Sequence, residues 1–249
     1  MCGRFALKAP PAELVSRFGL DEGADFGPRY NIPPGTDIPV IRQSPEGKRV
    51  LHLLRWGLVP HWAKDRSIGA KLNNARAETV AEKPSFREAF KRRRCLVPAD
   101  GYFEWKAEGK IKQPYYISLE SGAPMALGGL WESWQSPDGE IVRTVCIVTT
   151  DANELMAPIH DRMPVLIAPE HWRTWLAAPA NEVRQLLAPS SSTGMRAWPV
   201  SRRVSRTADD DPELIDPLPA ETSEEARGER MSLALPHLLK AYLKAFHEL

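Results

Sequence analysis

The chain has only three cysteines in 249 residues, Cys2, Cys95 and Cys146. They are too few and too scattered for a disulfide framework or a thiolate zinc site, so no metal is expected. Long apolar runs are missing as well. No stretch of eighteen apolar residues occurs, and the amino terminus has no hydrophobic h-region, so neither a helical membrane span nor a signal peptide is expected and a reducing cytoplasm is the expected compartment. There is no internal repeat. Strong charge of either sign is also lacking, with a net +1 overall. That small sum hides an asymmetry, because residues 207–249 carry ten acidic and four basic side chains and leave the first 206 at +7. Such a surplus fits an anionic partner and an ordinary soluble surface equally.

Proline and tryptophan are plentiful, with 23 and 8 copies. Proline about every tenth residue favours short strands and turns over long helices. Residues 10–18 (PPAELVSRF) read as a first helix, with Leu14, Val15 and Phe18 on one side and Gly19 as its stop. Residues 38–43 and 49–56 read as a hairpin, and Pro33-Pro34-Gly35 before it as a rigid turn. Residues 85–92 (SFREAFKR) predict a helix with Ser85 as N-cap and Glu88 completing a capping box. Strands are expected at 95–98 and 102–105, joined by a turn at Asp100-Gly101, and at 115–119, 125–133, 141–150, 163–168 and 195–204. Short helices are expected at 152–157 (capped by Asp151), 169–176 and 181–188. From Ser205 the composition becomes polar and acidic. Residues 220–230 read as a flexible linker. Residues 231–249 read as an amphipathic helix with Leu235, Leu238, Leu239, Tyr242, Leu243 and Phe246 on one face, docking on its own domain. The ordered domain is thus expected over 1–219.

Chemistry concentrates in four polar residues set in apolar or turn surroundings: Cys2, Asn74, Glu104 and His160. Once the initiator methionine is trimmed, Cys2 carries an α-amine and a thiol on adjacent carbons, titrating at roughly 8 and about 8.5. The amine can condense with an aldehyde, and the thiol can close on the imine to give a thiazolidine. Glu104 lies between Phe103 and Trp105, and in a strand it points away from both, onto the face it shares with Tyr102. A carboxylate there is either an ion-pair partner or a tuned acid/base group. His160, beside Asp161 and before a strand, is either a satisfied turn residue or a catalytic imidazole. Asn74 taken alone is turn chemistry.

The ordered stretches MCGRF, RYNIPPG, WGLVPHWAKD, NARAET, RRCLVPADGYFEW, GGLWESW, IVTTDANELMAPIHDRMPV and WPVSRRV together resemble the SRAP family. These are the SOS-response-associated "peptidases", understood as abasic-site-processing proteins. The resemblance runs from residue 2 to about 218. It implies an α+β fold, a mixed, barrel-like curled β-sheet of short strands surrounded by helices. It implies that Cys2 crosslinks to the open-chain aldehyde of an abasic site in single-stranded DNA, with weak AP-lyase activity on the side and no cofactor. Carried over by motif, the catalytic set is Cys2, Asn74, Glu104 and His160, with Asn73 an extra neighbour of the family asparagine.

For DNA contact the same motifs nominate Arg4, Arg76 and Arg162 beside the catalytic residues, each with an alternative role as a salt bridge to Glu78 or Asp161. Trp62 and Trp56 are the candidates for base stacking, Trp62 the better of the two. Asn31 and Thr149 are further contacts. Two rival readings stand beside crosslinking: a cysteine peptidase with Cys2 as nucleophile and His160 as base, and a non-covalent reader of damaged single-stranded DNA.

Overall fold

In the computed structural model, residues 2–219 are described, and those up to Pro217 form one compact unit. The linker and helix expected over 220–249 lie outside the described residues. Twelve strands and three short α-helices make up the described chain. The strands are β1 (Phe5–Leu7), β2 (Arg29–Ile32), β3 (Asp37–Gln43), β4 (Arg49–Trp56), β5 (Asn74–Arg76), β6 (Arg94–Ala99), β7 (Gly101–Glu108), β8 (Ile111–Leu119), β9 (Met125–Gln135), β10 (Ile141–Asp151), β11 (Arg162–Pro164) and β12 (Met195–Pro199). The helices are α1 (Pro11–Phe18), α2 (Arg87–Arg92) and α3 (Trp172–Ala177).

Five strands close on themselves. β3 pairs with β4 and β6, β6 with β9, β9 with β10, and β10 returns to β4. All these contacts are antiparallel except the β10–β4 seam, which is parallel and joins only Thr144 to Arg55 and Val145 to Trp56. The result is a closed mixed barrel, which leaves few unpaired edges. β5 and β11 attach to β10, and a second sheet runs in the order β12-β8-β7-β1-β2. The expected α+β fold with a barrel-like mixed sheet is the one observed.

The chain passes from barrel to second sheet at Asp100. No turn forms there, contrary to expectation. Asp100 N donates to Ala6 O at 2.9 Å, and its carboxylate accepts from the backbone N–H groups of Lys8 and Ala9. Gly101 continues directly into β7, because a Cβ at that position would lie 2.4 Å from Tyr116 Cζ and 2.5 Å from Ile117 O. This crossing sets β1 beside β7 and thereby brings the start of the chain to Glu104.

Helix α1 starts with proline in its first turn and stops at Gly19, whose φ of +59° only glycine adopts cheaply. Leu14 and Phe18 are buried, Phe18 stacking on Trp172 with ring centroids 4.4 Å apart, whereas Val15 is exposed rather than sharing their face. The second helix begins later than expected and without a side-chain cap. Phe86 N and Arg87 N both bond to Lys83 O, so the chain is already turning before Ser85, and Glu88 pairs with Lys91 instead of closing a box. Residues 152–157 make turns rather than a helix. Asn153 Oδ1 caps Met156 N at 3.0 Å, while Asp151 is held by Arg162. The expected 163–168 strand is confined to β11, the 181–188 helix to a 3₁₀ turn over Arg184–Leu187, and the 195–204 strand stops at Pro199, after which Ser201 caps a second 3₁₀ turn. Cys95 and Cys146 are buried thiols of the barrel core.

Candidate active site

Each of the four chemical residues reaches the site on a different element. β1 pairs with β7 through Phe5–Tyr102 and Ala6–Gly101, and Phe103 N donates to Arg4 O at 2.9 Å. The residues before Phe5 therefore run along β7 toward Glu104. Asn74 opens β5, which lies parallel to β10 with Asn74 opposite Ile147. Its Nδ2 donates to Cys2 O at 2.8 Å and fixes residue 2 from the other side. The neighbouring Asn73 turns away and bonds Ala70 O, so Asn74 is the amide that holds the site. His160 sits in the connection between β10 and β11, where its backbone N–H bonds Met156 O.

The electrostatics follow from burial. Cys2 is fully buried, and desolvation, with Glu104 beside it, drives its thiol far above the ordinary range. Glu104 is 2% exposed, and burial raises its carboxyl from 4.5 to about 7. Burial lowers the His160 imidazole. Its Nδ1 lies 3.0 Å from Arg162 N, while Nε2 faces Glu104. That nitrogen lies 3.9 Å from Glu104 Oε2, within ion-pair but beyond hydrogen-bond range. Asp161, largely exposed, also approaches Nδ1 at 2.9 Å. A cleft of about 380 Å³ lined by Glu104, Trp105, Lys112, His160 and Ser205 opens at Glu104 and His160, while Cys2 and Asn74 do not line it. A larger cleft of about 870 Å³, between β4 and β10, contains none of the four residues. Among the described residues no cluster of His, Cys, Asp and Glu is arranged to hold a metal ion.

Compared with known proteins, residues 1–207 match the family described as SOS response associated peptidase (SRAP). The chain belongs to the SRAP family. It is 41% identical over 223 residues to the abasic site processing protein YoqW of Bacillus subtilis, covering 87% of this chain and 99% of that protein. It is 32% identical over 230 residues to the abasic site processing protein YedK of Escherichia coli, covering 88% and 100%. A crystal structure of a Bacteroides thetaiotaomicron protein superposes with a TM-score of 0.80 at 29% identity, over 87% of this chain and 100% of that one.

Within this SRAP domain the residues nominated for DNA contact divide by exposure. Trp62 is half exposed, with its indole N–H on Pro84 O at 3.3 Å, and Arg76 is exposed. Trp56 is not available for stacking. It is 1% exposed, packs on Phe5 at 5.3 Å and donates to Asn73 O, so it supports the Asn74 strand from below. Asn31 is fully buried and uses its whole side-chain amide internally, accepting from Arg4 and donating to Arg206 O and Asp209 O. Arg4 also donates to Val204 O, so Arg4 and Asn31 together pin residues 204–209 beside β1 and β2. Thr149 is buried, and its carbonyl accepts from Ala77 N and Arg162. Arg162 binds Glu78 through both terminal nitrogens and reaches Asp151 at 2.6 Å, so its guanidinium braces β10, β11 and the β5 end against each other. The lining residue Lys112 went unread because the expected strands stopped at 105 and began at 115. In the folded chain β7 and β8 extend further and pair Ala107 with Lys112, and that longer register carries the cation to the cleft.

Proposed function

We propose that this protein captures abasic sites in single-stranded DNA through the amino-terminal cysteine left when Met1 is removed. The observation that carries this reading is the 2.8 Å bond from Asn74 Nδ2 to Cys2 O, which ties the buried residue 2 into the core on the Glu104 side. Asn74 Oδ1 is itself buried with no partner among the described residues, an acceptor suited to the Cys2 amine once that amine is freed.

The chemistry then runs in two bond-forming steps. The neutral amine adds to the C1′ aldehyde of the ring-opened sugar, and water leaves as the imine forms. The Cys2 sulfur then attacks the imine carbon, the C=N electron pair moves to nitrogen, and the thiol proton ends there, closing a thiazolidine. Glu104, with a carboxyl near pH 7, is matched to moving protons during ring opening and dehydration. His160 Nε2–H supplies a donor for the departing sugar oxygen. An imine that loses a proton before sulfur arrives eliminates the 3′ phosphate, which gives AP-lyase cleavage as a side reaction. Trp62, Arg76 and Lys112 are the accessible groups that DNA would meet.

The family's description as a peptidase keeps a second reading in view, with Cys2 as a protein-cleaving nucleophile. Its activated form is a thiolate–imidazolium pair, and burial here opposes both charges by raising the thiol and lowering the imidazole. Incubation with an abasic oligonucleotide tests the proposal. The expected product is a species stable on a denaturing gel whose mass is protein without Met1 plus DNA less one water. It should be lost in Cys2→Ala and when one residue is placed before Cys2. No adduct under any condition refutes the proposal.

A further inference from the structure

Tyr102 carries a buried polar group that the mechanism leaves unused. It is fully buried, and its hydroxyl has no hydrogen-bond partner among the described residues. A buried unpaired hydroxyl destabilises the fold, whereas phenylalanine would fill the same space without that cost. The position is not remote. Tyr102 pairs with Phe5 across β1–β7, shares its strand face with Glu104 two residues on, and packs in the same core cluster as Cys2. Burial, together with the negative charge that a Cys2 thiolate or a Glu104 carboxylate places beside it, holds the phenol protonated. Tyr102 is therefore a permanent O–H donor buried in the same cluster as a sulfur that burial keeps from ionising, though the two are not hydrogen-bonded while the thiol is neutral.

We propose that the Tyr102 hydroxyl hydrogen-bonds the Cys2 sulfur as it becomes a thiolate, and so decides whether the imine is closed to a thiazolidine or lost to strand cleavage. Tyr102 keeps its own proton throughout. The thiol proton passes to the imine nitrogen, the S–C bond forms, and the phenol only stabilises the charge on sulfur during the transfer. The inference rests on the thiazolidine reading above, and its test separates the two.

Wild type and Tyr102→Phe, each lacking Met1, are incubated with abasic single-stranded DNA with and without borohydride. Borohydride traps imine, which needs the amine alone, whereas the stable adduct without it needs sulfur. Imine trapping in Tyr102→Phe should stay within about twofold of wild type. Its spontaneous stable adduct should form on the order of tenfold more slowly, as expected for losing a hydrogen bond to a charged group. The share of cleaved strand should rise, and the limb of the pH–rate profile that reports thiol ionisation should move to higher pH. Equal rates, an equal cleaved share and an unmoved limb would overturn the inference while leaving crosslinking intact. A wild-type protein that gives no trapped imine overturns the parent reading as well. The folding of Tyr102→Phe is itself a readout. Its melting temperature should match or exceed wild type, and a clear drop would show that the hydroxyl has a structural partner and refute the argument.

Discussion

Replacing Glu104 with glutamine should make the protein more stable at alkaline pH, and the size of the effect follows from where the carboxyl sits. Burial at 2% exposure raises its pKa from 4.5 to about 7. In the unfolded chain the group ionises near 4.5. Folding therefore gains from this site while both states are protonated, and the advantage fades as pH climbs through the native value. Between pH 5 and 8.5 the wild-type chain should lose about 2.5 kcal/mol that Glu104→Gln keeps, since each pKa unit is worth about 1.4 kcal/mol and part of the loss is already present at pH 5. Urea unfolding of both proteins at several pH values measures this as a difference of differences, in which groups common to both cancel. The crosslinking rate of Glu104→Gln should fall by about 10²–10⁴-fold and lose the limb near pH 7 that the carboxyl contributes. Parallel stability profiles across that range would mean that Glu104 titrates as an ordinary surface carboxylate. Its assignment as the proton-transfer group would then fail with the desolvation argument.

Trp56 and Trp62 should separate cleanly. Trp56→Ala removes a buried ring and should cost about 3–5 kcal/mol in chemical unfolding. Trp62→Ala should leave stability within about 0.5 kcal/mol yet weaken single-stranded DNA binding by about 1–3 kcal/mol, read by fluorescence anisotropy in a Cys2→Ala background so that no covalent adduct forms. Arg162→Ala leaves the buried Thr149 carbonyl without its donor and two exposed carboxylates without their cation, and should destabilise by about 1–3 kcal/mol, with Arg162→Lys recovering little because an ammonium lacks the planar fork that grips Glu78. Gly101→Ala should unfold at markedly lower denaturant, since its methyl meets backbone and ring atoms at 2.4–2.5 Å.

What could be read in the sequence was local. The β3–β4 hairpin is legible because its apolar residues alternate within one short stretch. The strand around Glu104 is legible because aromatic residues flank a single carboxylate. Barrel closure is not, because it depends on a two-residue parallel seam between strands nearly ninety positions apart. The same limit applies to the cations. Whether an arginine meets DNA or a carboxylate depends on which carboxylate the fold delivers, and Glu78 reaches Arg162 across 84 residues. Exposure decides likewise between Trp56, the buried end of β4, and Trp62, half exposed six residues on. Helix caps failed for a different reason. Ser85 has the right chemistry, but the backbone has already turned at Lys83, so the serine falls inside the turn instead of at its edge.

Burying a thiol, a carboxyl and an imidazole together has a consequence that none of them shows alone. Desolvation raises the first two and lowers the third, so the low-dielectric pocket favours the uncharged form of every one of them. A site built for thiolate attack needs the opposite, a charge pair held apart from competing partners. Condensing an amine with an aldehyde needs neutral nitrogen, a proton source near pH 7 and escape of water. Dry surroundings help each of these, because they depress ammonium formation and draw the dehydration forward. In the proposed chemistry, the burial that disfavours a Cys2 thiolate is therefore what would suit its amine to trapping a carbonyl. In that chemistry sulfur needs to ionise only at the last step.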